Sequence, residues 1–322
     1  MIKAVRVHKV GAPEVMRIEE IELPAPKPGE VLVRNHAIGL NYIDVYFRSG
    51  HYAAPLPFIP GNEAAGEVVE VGKGAKKFKP GDRVAYLEHL GCYAEARLVD
   101  VSRLIALPKA ISFETGAAVL LKGLTAQYLL RQTYKLKNGD CILIHAAAGG
   151  TGLILCQWAK ALGAHVIGTV GSAEKAKLAK KAGAENIILY REEDFVARVK
   201  EITRGKLCDV VYDGVGKATF PASLDCLRPL GLFVSFGSAS GPVDAFDLRL
   251  LTQKGSLYAT RPTLNTYTAD PGRLQKMARD LFRVVKNGTV KIPVTTRPLN
   301  DVVAAHRDLE ARQTTGSTVL IP

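Results

Sequence analysis

The chain has 322 residues, of which 47% are hydrophobic and 23% are charged. This balance excludes a disordered, collagen-like or coiled-coil protein, and the length suits two domains of about 150 residues each. The formal net charge is +12 at pH 7, and most of the excess lies after residue 122. This charge would attract phosphorylated ligands, but a solvated basic surface is the more common explanation of such an excess.

The apolar segments and the cysteines indicate the cellular compartment of the protein. No apolar run approaches the roughly 18–20 residues that cross a bilayer, and the first residues resemble a strand instead of a secretion signal. The five cysteines are spread along the chain without a Cys-x-x-Cys pair, so neither a disulfide framework nor a cysteine-based zinc module is predicted. We expect a cytoplasmic protein with no membrane partner.

The first 110 residues alternate hydrophobic and polar side chains in short segments, separated by turns rich in Gly, Pro and Lys. This alternation predicts short antiparallel strands. The predicted strands are 3–8, 30–36, 65–71, 83–87 and 93–99. We expect them to form a barrel.

A helical pattern starts near residue 113, and from residue 141 continuous apolar strands alternate with helices. The predicted strands are 141–146, 165–170, 186–190, 209–213 and 231–236. The predicted helices between them are 150–162, 173–182, 192–203 and 218–227. Strands that are buried on both faces and joined by helices predict a doubly wound parallel sheet of the α/β class.

The last part of the chain predicts a return to the first domain. A helix is predicted over 271–287, then strands over 290–293 and 318–321 around a helix over 299–312. The expected domains are therefore residues 1–122, a nucleotide-binding domain over 123–287, and the returning segment 288–322.

A glycine-rich turn joins the first parallel strand to its helix. Ala147, Gly149 and Gly152 take the three positions of the G-x-G-x-x-G pattern. Gly149 would let the backbone approach a pyrophosphate, and Gly152 would let the helix pack closely on the strand. The surrounding βα units favour a dinucleotide site over a purely structural turn. Nearby His145 and Cys156 are expected to be buried core groups, not a general base and a nucleophile.

The end of the second parallel strand indicates which dinucleotide binds. A carboxylate there would bind the ribose of NAD, but the sequence runs Gly171-Ser172 without one. Lys175 could meet the 2′-phosphate of NADPH, flanked by Tyr190. NADPH is therefore favoured; the alternative is that Lys175 is a solvated helix residue and Glu174 binds the ribose.

Several separate motifs occur in the order typical of one superfamily. They are segments 39–50, 61–68, 81–84, 146–152 and 236–238. With them the chain resembles the medium-chain dehydrogenase/reductase superfamily, and within it the zinc-free NADPH:quinone oxidoreductases, the zeta-crystallin-like branch. The resemblance implies a GroES-like partial β-barrel catalytic domain, an inserted Rossmann domain and a substrate cleft between them.

The positions of the zinc ligands differ from those of zinc-dependent relatives. The resemblance implies that a cysteine stands there at the position of Asn41 and a histidine at that of Asn62, with four further cysteines in a separate lobe. Amides are poor zinc ligands, and residues 88–110 contain only Cys92. The sequence thus predicts no metal, which disfavours alcohol dehydrogenation. Asp44 is expected to orient neighbouring groups.

Without a metal, the hydride acceptor must delocalise the charge that it receives, as a quinone does. The resemblance implies that Asn41 and Tyr46 face the nicotinamide and substrate, and that Tyr52 lines the substrate mouth. Together with Tyr42 and Phe47, the two tyrosines form an aromatic segment. Such a segment either stacks on a flat ring or packs in the core.

The resemblance also implies a set of cofactor contacts. The pyrophosphate would meet Ala148, Gly149, Gly150, Thr151 and Gly152, and the adenosine phosphate would meet Gly171, Ser172, Lys175 and Tyr190. The remaining expected contacts are Thr125, Phe236, Gly237, Ser238, Ser240, Tyr258, Thr260, Arg261 and Arg312. Arg261 and Arg312 equally suit interdomain or surface salt bridges.

Two other functions stay open. The same cleft could reduce activated alkenes, such as enones and alkenals, because the choice of acceptor depends on pocket shape. A non-enzymatic NADPH- and RNA-binding role would use the net charge, but no basic run exceeds pairs such as Lys76-Lys77, which disfavours nucleic acid. The resemblance further implies a homodimer that pairs the edges of the Rossmann domains, with 256–260 as a candidate edge strand.

Overall fold

The chain divides into two units, each with its own buried hydrophobic cluster, in a computed structural model that describes residues 1–322. The first unit comprises Met1–Leu124, Asp270–Lys286 and Ile292–Pro322. The second unit comprises Thr125–Ala269 and Asn287–Lys291.

Strands dominate the first unit and alternate with helices in the second. The strands are β1 (Ile2–Val7), β2 (Met16–Ile21), β3 (Glu30–Gly39), β4 (Glu63–Val71), β5 (Arg83–Leu87), β6 (Ala96–Asp100), β7 (Leu104–Ala106), β8 (Cys141–Ile144), β9 (His165–Val170), β10 (Asn186–Leu189), β11 (Cys208–Asp213), β12 (Leu227–Ser235), β13 (Tyr258–Thr260), β14 (Val294–Pro298) and β15 (Ser317–Ile321). The α-helices are α1 (Tyr42–Ser49), α2 (Phe113–Tyr128), α3 (Gly150–Ala161), α4 (Ala173–Lys181), α5 (Phe195–Ile202), α6 (Arg249–Gln253), α7 (Leu264–Thr268), α8 (Pro271–Lys286) and α9 (Val302–Glu310).

The first unit is built on a seven-stranded sheet. Its order is β14-β15-β3-β4-β5-β7, with β6 also pairing to β3, while β1 and β2 form a separate hairpin. The pairs that involve β3 are antiparallel, and the inward side chains of alternating residues form the core. The strands predicted over the first 110 residues are therefore present, to within a few residues at their ends.

The second unit is a parallel six-stranded sheet of order β10-β9-β8-β11-β12-β13. The chain runs outward from β8 to β10 and then restarts beside β8 at β11. This reversal places the topological switch point after β8, where doubly wound folds bind nucleotides. The predicted doubly wound α/β sheet is confirmed.

Two predicted elements are wrong. The helix predicted over 218–227 is a short 3₁₀ turn at Ala222–Cys226, because Pro221 lacks the N–H that a continuous helix needs. No strand forms over 290–293; the strand starts at Val294, directly after Pro293. A proline cannot donate to a strand ladder, so pairing begins behind it.

Helix α8 packs with the first unit, although the expected nucleotide-binding domain of 123–287 includes it. The Gln275 amide donates to the Leu104 carbonyl at 2.8 Å. A Cβ atom on Gly123 would lie 2.4 Å from Leu281 Cδ1, so the helix sits tightly against this glycine. None of the helices is both long and apolar enough to span a membrane.

Candidate active site

A buried polar cluster of Asn41, Glu63 and Lys122, the Asn41 cluster, joins the start of α1 to β4 and α2. Asn41 Nδ2 donates to Glu63 Oε1 at 2.7 Å and to the Gly39 carbonyl at 3.3 Å. Lys122 Nζ donates to Asn41 Oδ1 at 2.7 Å and to the Leu40 carbonyl at 3.1 Å. Both ends of the Asn41 amide thus have partners, and its orientation is fixed.

The Asn41 cluster contains a buried ion pair. Glu63 is fully buried and Lys122 is 8% exposed, with Nζ 3.4 Å from Glu63 Oε1. Burial raises the pKa of the Glu63 carboxyl, while the Lys122 ammonium and the Leu121 N–H, which donates to Oε2 at 2.6 Å, oppose this rise. The carboxylate therefore depends on Lys122 for its compensating charge.

A second network surrounds the fully buried Asp44, which sits in the first turn of α1. Its Oδ1 accepts from Asn62 Nδ2 at 2.6 Å, and its Oδ2 accepts from the Asn41 N–H and the Tyr93 hydroxyl, each at 2.9 Å. The Tyr93 hydroxyl also lies 3.1 Å from His306 Nε2. Burial raises the pKa of Asp44 to about 6, against these hydrogen bonds. The expectation that Asp44 orients its neighbours is confirmed.

The two zinc-position amides are thus bound to other side chains. Asn41 faces the Lys122 ammonium, which would repel a divalent cation, and Asn62 is held by Asp44. No group of three or more His, Cys, Asp or Glu side chains is arranged to hold a metal ion. Burial raises the pKa of the Cys92 thiol to about 12, so this cysteine is not a ready thiolate ligand.

The aromatic residues of α1 and the loop after it lie together. The ring centroids of Tyr46 and Tyr52 are 5.1 Å apart in an edge-on arrangement, and those of Tyr42 and Tyr46 are 5.4 Å apart. Phe47 is 2% exposed and belongs to the core, whereas Tyr42, Tyr46 and Tyr52 are half-buried. The structure therefore brings Tyr46 and Tyr52 together, and for Phe47 the core interpretation is confirmed.

The glycine-rich turn at the end of β8 is closely packed. A Cβ atom on Gly152 would lie 2.4 Å from the Ala146 carbonyl oxygen, and Ala146 itself has a positive φ of 53°. Ala147 takes the first glycine position, and its methyl group fits because residue 168 is a glycine: a Cβ there would approach it to 2.7 Å. Helix α3 starts at Gly150, so its N-terminal N–H groups lie beside the turn.

Four predicted residues meet at the ends of β9 and β10. Ser172 caps α4, accepting from the Lys175 N–H at 3.4 Å. A Cβ atom on Gly171 would lie 2.8 Å from the Tyr190 hydroxyl oxygen, so a glycine is needed there. Tyr190 is 40% exposed, and Glu174 is exposed in the first turn of α4. No acidic residue ends β9 itself, but the Glu174 carboxylate is hydrogen-bonded to the Ser172 side chain, and Glu193 Oε2 accepts from the Leu189 N–H at the end of β10 at 2.8 Å.

The guanidinium of Arg261 holds the turn after β12. It donates to the carbonyls of Ser235 and Gly237, each at 3.0 Å, and to Ser238 Oγ at 2.9 Å. Arg261 therefore makes hydrogen bonds to backbone and hydroxyl groups, not the salt bridge that the sequence left open. Ser240 stabilises the same region by donating to the Val215 carbonyl at 2.8 Å.

The other predicted cofactor contacts belong to several different elements. Tyr258 and Thr260 lie on β13, and Thr125 is buried in α2. Phe236 follows β12 directly. Arg312 is exposed in the first unit with a positive φ of 59°, where its charge opposes the rise that burial causes in the pKa of Tyr42.

Two residues near the glycine-rich turn behave as expected. His145 is 2% exposed, with its ring nitrogens 3.0 Å from the hydroxyls of Thr169 and Ser223. Burial lowers the pKa of His145 and raises that of the Cys156 thiol to about 12. Both are confirmed as core groups.

Sequence reasoning missed Lys122 and Glu63 as members of the site. Each carried a signal, because each is a lone charge in an apolar segment: Lys122 among the leucines of α2 and Glu63 at the apolar start of β4. Charged residues are rarely fully buried unless they are paired. The pairing of these two, however, joins distant parts of the chain.

The chain is similar to known proteins over nearly its whole length. Residues 27–137 match the family described as "Alcohol dehydrogenase GroES-like domain", and residues 150–270 match "Zinc-binding dehydrogenase". The chain is 54% identical to the quinone oxidoreductase of Pseudomonas aeruginosa over 100% of both chains. It is 45% identical to the 2-haloacrylate reductase of a Burkholderia species, over 100% of this chain and 99% of that protein.

A solved structure agrees with these matches. The crystal structure of Escherichia coli quinone oxidoreductase complexed with NADPH superposes with a TM-score of 0.98 at 51% identity, over 99% of this chain and 100% of that one. The predicted GroES-like partial β-barrel with a Rossmann domain is confirmed.

Proposed function

Because the chain belongs to the quinone oxidoreductase branch of the medium-chain dehydrogenase/reductase superfamily, we propose that it transfers hydride from NADPH to a quinone without a metal ion. The observation that carries this proposal is the hydrogen bonding of Asn41 and Asn62. The Asn41 amide is held by Lys122 and the Asn62 amide by Asp44, so both zinc-position amides are engaged with other side chains and not with a metal ion. An acceptor that delocalises its own charge suits such a site.

The second unit supports NADPH as the hydride donor. Gly152 lets α3 pack closely on the backbone of Ala146, which would bring the N-terminal N–H groups of α3 to a pyrophosphate bound at the turn. Gly171, Ser172, Lys175 and Tyr190 lie at the ends of β9 and β10, where the 2′-phosphate of NADPH would bind beside the Lys175 ammonium. The Glu174 carboxylate is hydrogen-bonded to the Ser172 side chain, so it must turn away to admit that phosphate. In this proposal the other cofactor contacts expected from the sequence, from Thr125 to Arg312, keep their roles.

In this proposal Asn41, Tyr46 and Tyr52 form the catalytic site. NADPH supplies the hydride when bound, and the quinone becomes a hydroquinone by taking that hydride and one proton. Tyr46 and Tyr52, with rings 5.1 Å apart, offer flat surfaces and hydroxyl donors to a quinone ring. Asn41 is fixed by its neighbours, so it acts as a rigid part of the site wall.

The test is NADPH oxidation followed at 340 nm with a simple quinone as acceptor. We expect saturable turnover with NADPH, weak turnover with NADH, and no change after EDTA treatment. Tyr52→Phe and Tyr46→Phe should lower quinone turnover. Tyr52→Phe, which alters only the substrate mouth, should leave NADPH binding intact. Loss of turnover after EDTA, restored by zinc, would contradict the proposal.

Reduction of an activated alkene is the second candidate. The observation that favours it is the 45% identity to a 2-haloacrylate reductase over the full chain. Both reactions take hydride at an electron-poor carbon or oxygen, and pocket shape selects between them. A 2-alkenal and a 2-haloacrylate offered beside the quinone decide this: the acceptor with the higher kcat/KM identifies the activity.

The proposal also covers the domain boundaries, the cellular location and the oligomeric state. We keep the division of labour in which residues 1–122 and 288–322 catalyse and residues 123–287 bind the dinucleotide, except that α8 at the end of that range packs with the first unit. A cytoplasmic location is supported by five free thiols. A homodimer is supported by the exposed edge strand β13, where Tyr258 is 62% exposed. Light scattering of the wild type and of a Tyr258→Arg variant tests the dimer, which the variant should weaken.

A further inference from the structure

Lys122 is the charged centre of the Asn41 cluster, although the residues beside it in the sequence of α2 are leucines and a glycine. We propose that Lys122 is a positioning residue for hydride transfer: its ammonium holds the Asn41 amide in one orientation and thereby fixes the start of α1. This inference rests on the proposed function, because it gives the Asn41 side of the site its rigidity.

The donor and acceptor pattern permits one orientation of the Asn41 amide. Its oxygen faces the Lys122 ammonium at 2.7 Å and its nitrogen faces Glu63 Oε1 at 2.7 Å. Rotating the amide by 180° would set an NH₂ group against the ammonium and an oxygen against the carboxylate. Removing Lys122 removes half of this discrimination.

The backbone of Asn41 is also held, at the start of α1. The Asn41 backbone N–H donates to Asp44 Oδ2 at 2.9 Å at the first turn of the helix. Asn41 is therefore clamped at its side chain by Lys122 and Glu63 and at its backbone by Asp44. Tyr46 lies further along the same short helix, so movement of Asn41 would shift Tyr46 with it.

Close packing leaves the cluster no room to readjust. A Cβ atom on Gly39 would lie 2.3 Å from Glu63 Oε1 and 2.4 Å from the Ala117 carbonyl oxygen. Glu63 is consequently pressed against backbone, where no other cation contacts its carboxylate. An ammonium in this position does two things: it balances Glu63 and it orients Asn41. The two roles need separate tests.

The experiment compares Lys122→Met, the double variant Glu63→Gln with Lys122→Met, and the control Lys109→Met, which alters an exposed lysine of the same unit. The measurements are kcat and KM for a quinone, the NADPH dissociation constant from cofactor fluorescence, the thermal midpoint, and the ¹⁵N NMR signal of the Asn41 side chain. Comparison with Asn41→Asp assigns that signal.

We expect Lys122→Met to lower kcat about 10- to 100-fold, as misplacement of a reactive group does, with the NADPH dissociation constant changed little. The Asn41 side-chain signal should shift or broaden as the amide samples both orientations. The double variant removes both buried charges, so its thermal midpoint should recover towards the wild type while kcat stays low. Lys109→Met should match the wild type throughout.

Recovery of both midpoint and kcat in the double variant would overturn the proposal, because Lys122 would then only balance Glu63. An unchanged Asn41 signal in Lys122→Met would also overturn it. If the double variant does not fold, the single variant decides: a fall in kcat and NADPH binding that follows the unfolded fraction contradicts positioning. If the wild type itself reduces no quinone, the proposed function fails, and the NMR signal still tests whether Lys122 holds Asn41.

Discussion

The glycine-rich turn of the second unit and the Asn41 cluster of the first are both sites of close approach, but they are assembled differently. The turn is continuous in sequence from Ala146 to Gly152 and consists mainly of backbone groups. The Asn41 cluster brings together side chains from β4, α2 and the residue before α1. Comparing them teaches that a backbone-built site can be recognised in sequence, whereas a site of paired charges needs the fold.

Substitution in the turn should give the largest effect. Gly152→Val places a branched side chain where a Cβ atom already lies 2.4 Å from a carbonyl oxygen. We expect NADPH binding to weaken by about 100-fold or more, because the pyrophosphate position is displaced. Fluorescence titration measures it. The control Gly272→Ala, at the start of α8, should bind NADPH normally. If both variants bind NADPH equally well, the glycine-rich turn is not part of the NADPH site.

Asp44→Asn tests the paired-charge site. An amide in place of the carboxylate turns one acceptor position into a donor, facing either Asn62 or the pair Asn41 N–H and Tyr93 hydroxyl. We expect the free energy of unfolding to fall by about 1–3 kcal/mol, the cost of a buried unpaired donor. Urea denaturation measures this, with exposed Asp301→Asn as control. Equal stabilities of the two variants would mean that the network relaxes freely.

His306 makes the first unit sensitive to acid. Burial lowers the pKa of His306 from 6.5 to about 3, so the folded state stays neutral where the unfolded chain binds a proton. The stability that His306 contributes is present above pH 6.5 and is lost as pH falls towards 3. Relative to pH 8, wild type should lose about 2 kcal/mol more at pH 5 than His306→Asn. Urea titrations at both pH values measure this difference in unfolding free energy, and the exposed residue His165 supplies the control variant His165→Gln. If His306 were solvated, wild type and His306→Asn would lose the same free energy of unfolding between pH 8 and pH 5.

Lys175→Ala tests the expected binding site for the adenosine phosphate of NADPH, and it should have the smallest effect of the four substitutions. If the Lys175 ammonium faces the 2′-phosphate as proposed, losing this partly exposed charge should weaken NADPH binding about tenfold and leave NADH binding unchanged. The matched control is Lys177→Ala, an exposed lysine on the same helix. A similar loss for NADPH and NADH would indicate that Lys175 only stabilises α4.

Sequence patterns predicted five of the six strands of the parallel sheet, β8 to β12, because each contains a short and mostly apolar run bounded by turns. They failed where proline changed the hydrogen bonding, at Pro221 and Pro293. They also missed β2, in which Arg17 and Ile18 are both exposed and no hydrophobic alternation stands out. The contact between Tyr46 and Tyr52 could be expected because the two residues are close in sequence. The contacts of Asn41 with Glu63 and Lys122 could not, because these partners lie far from Asn41 in sequence.

By itself the sequence determined the α/β class, the dinucleotide turn and the loss of good zinc donors at positions 41 and 62, because each depends on local periodicity or on the chemistry of single residues. The tertiary structure alone decided what replaced those donors. A lysine and a glutamate are each costly to bury, and their stability depends on a partner that only the folded chain supplies. That partnership, between Lys122 and Glu63 beside Asn41, spans elements that no short pattern connects.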